Sequence, residues 1–563
     1  MTSPAGGAPA NAPRDKQFLV TRKDVLLPAG FAPLRLDDVH GQLAEDPTVQ
    51  VIRTIAPTGL ALLADTPTSV QRIIVARMSD KRAQELDQLH PQLLVEEDAL
   101  VRPVPAPAPV VADLQDPGSF LPFGGATTWK IRVTGPDDAP AVGATVYLYG
   151  AGVPAQGRTD DDGTVSLSLL NETEDTVRAL FVNPQTGYWD LWIDNPRLSS
   201  SEPNSIRLRR LDATFTGFPG SQLIGWGQRT MRLDQLDSRL NGAGVKVAVI
   251  DSGAATSHPD LEQIKAGRDL TVFPANDTAW TNDVIAHGSH CSGIIAGIGD
   301  NATGIRGFAP AADVRELRIF PGGRFSTVLD ALDYCIQQQV DVVNMSLGSG
   351  GTSETMLQKL AQARQSGVAC IVAAGNSGDE VQFPGVSPDV LTVAAIGKLG
   401  EFPADSFHAR QVPADGPVDN GYFSATFSCH GPEVGVCAPG VAVVSSVPPD
   451  GFAAWDGTSM ATPHITGLAA LVLAHHPDLA GGFGKGTAAR VDRLFEIIKA
   501  SATPLNLGDP GRTGAGVPDA VRAVTGQLPP TPPPAPTSAI SPNAITAALL
   551  EQLREAFVAA RLL

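Results

Sequence analysis

Four short segments carry residue types that together can break an amide bond. They are VAVIDSG around Asp251, HGSHCSG around His287, VAAGN ending at Asn376, and GTSMATPH around Ser459. A serine hydroxyl attacks poorly until a base takes its proton, so Ser459 needs an imidazole such as His287. That imidazole works best when a carboxylate fixes its tautomer and steadies the cation, which gives Asp251 a role. The oxygen that becomes negative during attack needs hydrogen-bond donors, and the Asn376 amide and the Ser459 backbone N–H can supply them. Taken singly each segment is weak, because an Asp can open a turn and a Ser can cap a helix. Together they point to acyl transfer at a peptide carbonyl.

These residues need elements to hold them. Val245 to Ile250 is an apolar run interrupted only by Lys246, which reads as a buried parallel strand ending in Asp251. Open α/β sheets place their sites at that carboxyl edge. His287 begins a glycine-flanked helix. Gly457 lets the chain turn before Ser459 opens another helix, whose first turn accommodates Pro463. His287 and His290 lie three apart, but a third metal ligand at matching spacing is missing, so His290 reads as structural. Cys291 falls near the site, and a free thiol there predicts sensitivity to mercurials or oxidation.

The order Asp251, His287, Ser459, with a side-chain amide at Asn376, resembles the subtilisin-type serine proteases of peptidase family S8. The likeness covers residues 221–525. It implies a three-layer α/β domain with a parallel sheet. It further implies that Ser346, Leu347 and Gly348, in DVVNMSLGSGG, pair with an extended substrate as an added strand. Gln382, in VQFPG, matches a position where small residues leave the first pocket deep, so small or polar residues are expected before the cut. Gln222, Asp260 (in SHPDL) and Asn301 (in GDNATGIRG) match positions that ligate structural Ca²⁺ in such enzymes. In relatives the first of these ligands lies just inside the mature N-terminus, which places processing near Gly220–Ser221. The implied function is a serine endopeptidase acting through an acyl-enzyme and made as an autoinhibited zymogen. A peptide ligase or macrocyclase, or a dedicated maturation protease, would use the same acyl-enzyme. A binding protein built on a dead protease is disfavoured, since all four catalytic residues are present.

The rest of the chain divides by composition. Residues 1–16 are rich in Pro, Ala and Gly and read as disordered. Residues 17–103 hold the strand-like runs VQVIRTI, GLALLAD and RIIVARM, a helix in SDKRAQELDQLH with Ser79 as N-cap, and the strand-like LLVEEDALVRP. From Arg72 to Pro103 this unit resembles the inhibitory α+β prodomain of subtilisins, whose last strand carries a VEED-type sequence. Residues 104–125 form a Pro-rich linker, and 126–211 read as an all-β, Ig-like or carboxypeptidase-regulatory-like sandwich. Asp160, Asp161 and Asp162 read there as a hairpin turn in preference to a calcium site. A second Pro-rich linker spans 526–542. Residues 543–563 predict an amphipathic helix, capped by Asn543 with Leu549, Leu553 and Phe557 on one face, that either packs on the protease or docks a partner.

Composition narrows the function classes. Of 563 residues 43% are hydrophobic, enough for a packed core, while the net charge of −18 argues against nucleic acid or anionic membrane as a partner. No stretch reaches the ~18 apolar residues of a membrane span. The expected partners are a protein or peptide substrate and the chain's own N-terminal segment; no organic cofactor is implied. No signal-peptide pattern opens the sequence, so the expected location is the cytoplasm or an unconventional export route. Five cysteines are too few for a disulfide scaffold, although Cys429 and Cys437 are spaced so that they could bridge.

Overall fold

The central strand Lys246–Asp251 explains the layering of the catalytic region. Its side chains alternate between two cores: Val247 and Val249 join one, Ala248 and Ile250 the other, and all four are fully buried. A strand covered on both faces must be apolar on both, which is why KVAVID reads as a run and not as an alternation. Each such Val or Ile contributes about 1.5–3 kcal/mol of burial. In this computed structural model, residues 15–23, 34–55, 72–103, 125–299 and 301–526 are described, all within one compact unit ending at Gly526.

The sheet runs in the order Ala266–Asp269, Asp313–Arg318, Lys246–Asp251, Val342–Met345, Ala369–Ala373, Val390–Lys398, Tyr422–Ser424, with Val434–Pro439 also on Val390–Lys398. All pairings are parallel except that of Tyr422–Ser424. Helices His287–Ala296, Thr458–His475 and Ala488–Ser501 pack on one face. Phe325–Gln337 and Glu354–Gln365 pack on the other. Strand order turns at Lys246–Asp251, so Asp251 stands where the loops on either side diverge and a cleft opens. The helix Thr458–His475 is apolar all round and is buried from Thr458 through Leu473, as a helix without a polar face must be.

A four-stranded antiparallel sheet, in the order Gln50–Ile55, Ile73–Met78, Lys16–Arg22, Leu93–Glu97, lies on the face formed by Phe325–Gln337 and Glu354–Gln365. Its strands also alternate. Leu19, Ile73 and Val75 join the core of those two helices, whereas Phe18, Val20 and Ile74 pack with Val39, Leu43 and Leu86 from the unit's own helices. One of these, Asp80–Leu89, starts as the sequence predicts: Ser79 Oγ accepts from Arg82 N at 3.2 Å. The other, Leu36–Glu45, is an addition to the expected elements. It has no capping side chain and carries Gly41 inside, so neither end announces it.

Residues 126–207 form two sheets facing each other: Leu191–Asp194, Ala179–Asn183, Thr145–Tyr149, Ala155–Arg158, and Asn204–Arg207, Ala126–Thr134, Thr164–Leu170. Trp129, Ile131 and Val133 meet Val146, Leu148, Leu180 and Val182 between them. Asp160 Oδ1 accepts from the N–H groups of Asp162 and Thr164, so the acidic triplet begins as a self-bonded turn. GLALLAD, both Pro-rich linkers and the terminal helix with Asn543, Leu549, Leu553 and Phe557 lie outside the described residues, Gly125 and Gly526 apart. Among the described residues no helix is long and apolar enough to cross a membrane.

Candidate active site

Asp251 ends its strand with no exposed surface, and both its carboxylate oxygens face His287 Nδ1, at 2.8 and 2.9 Å. Nδ1 therefore carries its proton toward the carboxylate, which leaves the buried Nε2, without a hydrogen-bond partner, as the basic nitrogen. Burial opposes the imidazolium, but the Asp251 charge and hydrogen bond, with a further push from Asp283, outweigh it and raise the His287 pKa. Two backbones must nearly touch for this pair to form. A Cβ on Gly288 would collide with the Gly253 carbonyl oxygen, which only glycine avoids.

Ser459 is the second residue of its helix. The preceding Gly457 has φ 151° and ψ 155°, a conformation that is essentially glycine's alone. Ser459 Oγ donates to the Ser346 carbonyl at 3.2 Å, and the Ser459 carbonyl accepts from Ser346 Oγ at 2.9 Å and Cys291 Sγ at 3.4 Å. Cys291 lies one helical turn after His287, so the two helix starts are stitched together there. Its thiol is fully buried and its pKa is pushed well up by burial. Burial disfavours the thiolate, yet the Cys291 thiol lies within 4.8 Å of the ligand atoms of Asp251 and His287, beside the site as expected.

Asn376 is oriented by Thr458, a residue that the sequence motifs do not single out. Its Oδ1 accepts from both the backbone N–H (2.9 Å) and the hydroxyl (2.7 Å) of Thr458. The oxygen is thus committed to the serine loop, which fixes how the amide is turned. Asp283 is a second such residue. Its carboxylate gathers N–H groups from Ile285, Ala286 and Ser289, fixing the turn that delivers His287. His290 is structural as expected: it stacks on Trp455 with centroids 4.6 Å apart, and burial lowers its pKa to about 3.

The segment Ser346–Gly348 is occupied by the chain's own tail. Pro103 pairs antiparallel with Leu347 and Arg102 with Gly348, while Leu100 accepts from Ser349 Oγ at 3.0 Å. On the tail's other side Val101 N donates to the Gly323 carbonyl at 3.0 Å. Just upstream, the Glu96 carboxylate accepts from Ser353 Oγ and from the backbone N–H groups of Glu354 and Thr355. Asp98 accepts from Ser326 N at 2.8 Å. Two acids thus cap two helix N-termini, where negative charge is stabilised. Gln382 lies against Gly375, next to Asn376, and donates to Ser377 Oγ at 3.3 Å.

Gln222, Asp260 and Asn301 also converge. The Gln222 amide bonds to the Ile298 carbonyl and to Asn301 Oδ1, at 2.7 and 3.1 Å. Asp260 Oδ2 accepts from Ile305 N, while its buried Oδ1 has no partner. These side chains lie close together in the uncut chain. Pro219 O accepts from Gly304 N, and Leu223 N donates to Gly304 O, so Gln222 is held from both sides without a new terminus at Ser221. Cys429 and Cys437 are unbridged, and all five cysteines are buried thiols.

With this geometry the comparisons with known proteins agree. A family model described as Subtilase family, Peptidase_S8, matches residues 242–515. Subtilisin DY of Bacillus licheniformis is 33% identical over 301 residues, 53% of this chain and 97% of that protein. Alkaline elastase YaB of Bacillus sp. (strain YaB) is 33% identical over 306 residues, 54% of this chain and 70% of that one. Subtilisin E of Bacillus subtilis (strain 168) is 34% identical over 267 residues, 46% of this chain; the match spans 63% of its length. The chain belongs to the subtilase family.

Proposed function

We propose that the chain is a serine endopeptidase made in an autoinhibited form. The observation that carries this reading is the Asp251–His287 pair, with Nε2 left basic beside the helix that presents Ser459. As Ser459 Oγ bonds to the substrate carbonyl carbon, its proton passes to His287 Nε2. The Asn376 amide and the Ser459 N–H hold the oxyanion. Collapse breaks the C–N bond, and His287 returns the proton to the departing amine. Water then repeats the sequence: it gives a proton to His287, adds to the acyl carbon, and releases Ser459 with its hydroxyl restored.

The autoinhibited form is supported by the tail on Leu347 and Gly348, where an extended substrate would add its own strand. Gln382 beside Gly375 narrows the pocket before the cut, which favours small or polar residues there. Calcium fits the cluster at Gln222, Asp260, Ile298 O and Asn301, because a buried carboxylate oxygen without a partner is what an added cation satisfies. When bound, the ion would neutralise Asp260 and tie the segment around Gln222 to the loop at Asn301.

The test is the intact mass of the purified protein beside Ser459→Ala, with and without calcium. Loss of an N-terminal fragment by the wild type alone supports a self-maturing protease. If neither protein is cut and the wild type hydrolyses casein, the autoinhibited form is wrong and the protease reading stands. A wild type that stays whole and cleaves nothing overturns the endopeptidase reading.

A further inference from the structure

The β-sandwich is not a spacer carried beside the site; it shares the lining of one cavity with His287 and Trp455. A cavity of about 760 Å³ is lined by Arg102 and Pro103 of the tail, by His287 and Trp455, and by Tyr147 and Asn183 of the sandwich. Its direction is set by the tail. Pairing steps from Gly348 with Arg102 to Leu347 with Pro103, and the next residue on the edge segment is Ser346, which touches Ser459. A peptide on this path brings its scissile bond to Ser459 just beyond the position of Pro103. Its residues on the far side of that bond then enter the part of the cavity walled by the sandwich.

That wall is fixed. Thr186 Oγ1 and Gly187 N both donate to the Phe452 carbonyl, at 3.0 and 2.9 Å, and Trp192 N donates to the Asp405 carbonyl at 2.8 Å. Phe181 and Trp192 of the sandwich pack on Phe407, with centroids 5.0 and 5.7 Å from it. Asp190, on the same module, faces the fully buried ring of His408, whose Nδ1 bonds to Asp456 Oδ1 at 2.6 Å. Asp456 stands three residues before Ser459, so the sandwich reaches the serine loop through two side chains. The rim itself offers a half-buried Tyr147, stacked at 5.7 Å on Phe181, and the exposed amides of Asn183 and Gln185.

We propose that this rim is a binding subsite for the substrate residues after the cut, taking polypeptides with an aromatic or aliphatic side chain there and bonding their backbone through Asn183 and Gln185. Buried aromatic faces recognise such side chains, and side-chain amides offer both a donor and an acceptor to an extended backbone. The proposal rests on the endopeptidase reading, and the experiment separates the two.

Two substrates share one acyl half. The first is an anilide with nothing beyond the cut; the second is an internally quenched peptide with three further residues, Leu or Phe among them. The full chain, incubated until its N-terminal segment no longer covers Leu347 and Gly348, is compared with Tyr147→Ala, Asn183→Ala and the conservative Tyr147→Phe treated alike. The expected result is that Tyr147→Ala and Asn183→Ala lower kcat/KM for the peptide at least ~10-fold relative to the anilide, while Tyr147→Phe restores the ratio. A ~10-fold ratio corresponds to about 1.4 kcal/mol. Equal losses on both substrates mean that the module only supports the fold, and no loss means that the rim is not a subsite; either overturns the proposal. A wild type that cleaves neither substrate removes the endopeptidase reading and the subsite with it.

Discussion

Two accessory regions sit on the same catalytic domain and are attached in different ways. The N-terminal sheet has a core of its own and meets the subtilase domain through one face of its strands, two carboxylates on helix ends and a short tail strand. The sandwich is fused. Its Trp189 and Leu211 belong to the same buried cluster as Val247 of the central strand, and its Asp190 faces a buried histidine. The N-terminal sheet also buries Leu19, Ile73 and Val75 in the cluster that holds Ala248 and Ile250 of that same strand. It lends that cluster only one strand face, however, and keeps Phe18, Val20 and Ile74 in its own core. A unit whose tryptophan fills the neighbour's core cannot leave without opening a cavity. On the proposed function, the first attachment would suit a removable inhibitor and the second a part that stays.

The sharpest way to break this comparison is to ask what maturation removes. The protein that matures should lose residues before the sandwich and retain Tyr147 and Trp189, while Ser459→Ala stays whole and loses activity by on the order of 10⁶. N-terminal sequencing of the mature form decides it: a first residue after position 211 would erase the distinction. Next in size is Trp189→Ala, expected to destabilise the catalytic domain itself by about 3–5 kcal/mol, seen as a lower midpoint in denaturant. Glu96→Ala is the matched change on the other side. Loss of one cap should weaken the tail's hold by about 1 kcal/mol, giving earlier maturation at an unchanged midpoint for the mature enzyme. Asn376→Ala, which touches neither attachment, should lower kcat by about 10²–10³ on every substrate.

The smallest effect is one of pH. The carboxylates of Asp190 and Asp456 hold His408 as a cation, and although burial opposes it they push its pKa up to about 9. A histidine with a raised folded pKa stabilises fully below its unfolded value near 6.5 and loses that contribution as pH climbs through about 9. The thermal midpoint of the mature enzyme should therefore fall over this window, and His408→Gln should flatten the slope. A slope that persists in His408→Gln places its origin elsewhere.

How much of this is legible in the sequence depends on range. Asp251, His287, Asn376 and Ser459 each lie in a segment whose neighbours state the local geometry, so strand end, helix start and glycine turn can be read together. Ser79 as a cap is equally local. Thr458 adjoins Ser459, yet its hold on Asn376 spans 82 positions, and His408 reaches Asp456 across 48. No period or spacing announces such contacts; they exist only once the sheet has brought the loops together. Gln222 is legible as a candidate ligand, but the bracketing of its segment by Gly304 from another loop is not.

The five buried thiols bear on how the molecule can be watched. None is bridged, so a reductant finds no covalent bond to break, and the fold's stability is independent of the redox poise around it. Burial pushes the pKa of Cys291, Cys335, Cys370 and Cys437 upward, which keeps them silent toward alkylating reagents while the structure is closed. They speak only when it opens. The rate at which a thiol reagent labels the native protein is thus a clock for its opening, with probes on the His287 helix, on both sides of the central sheet and beside Asn376.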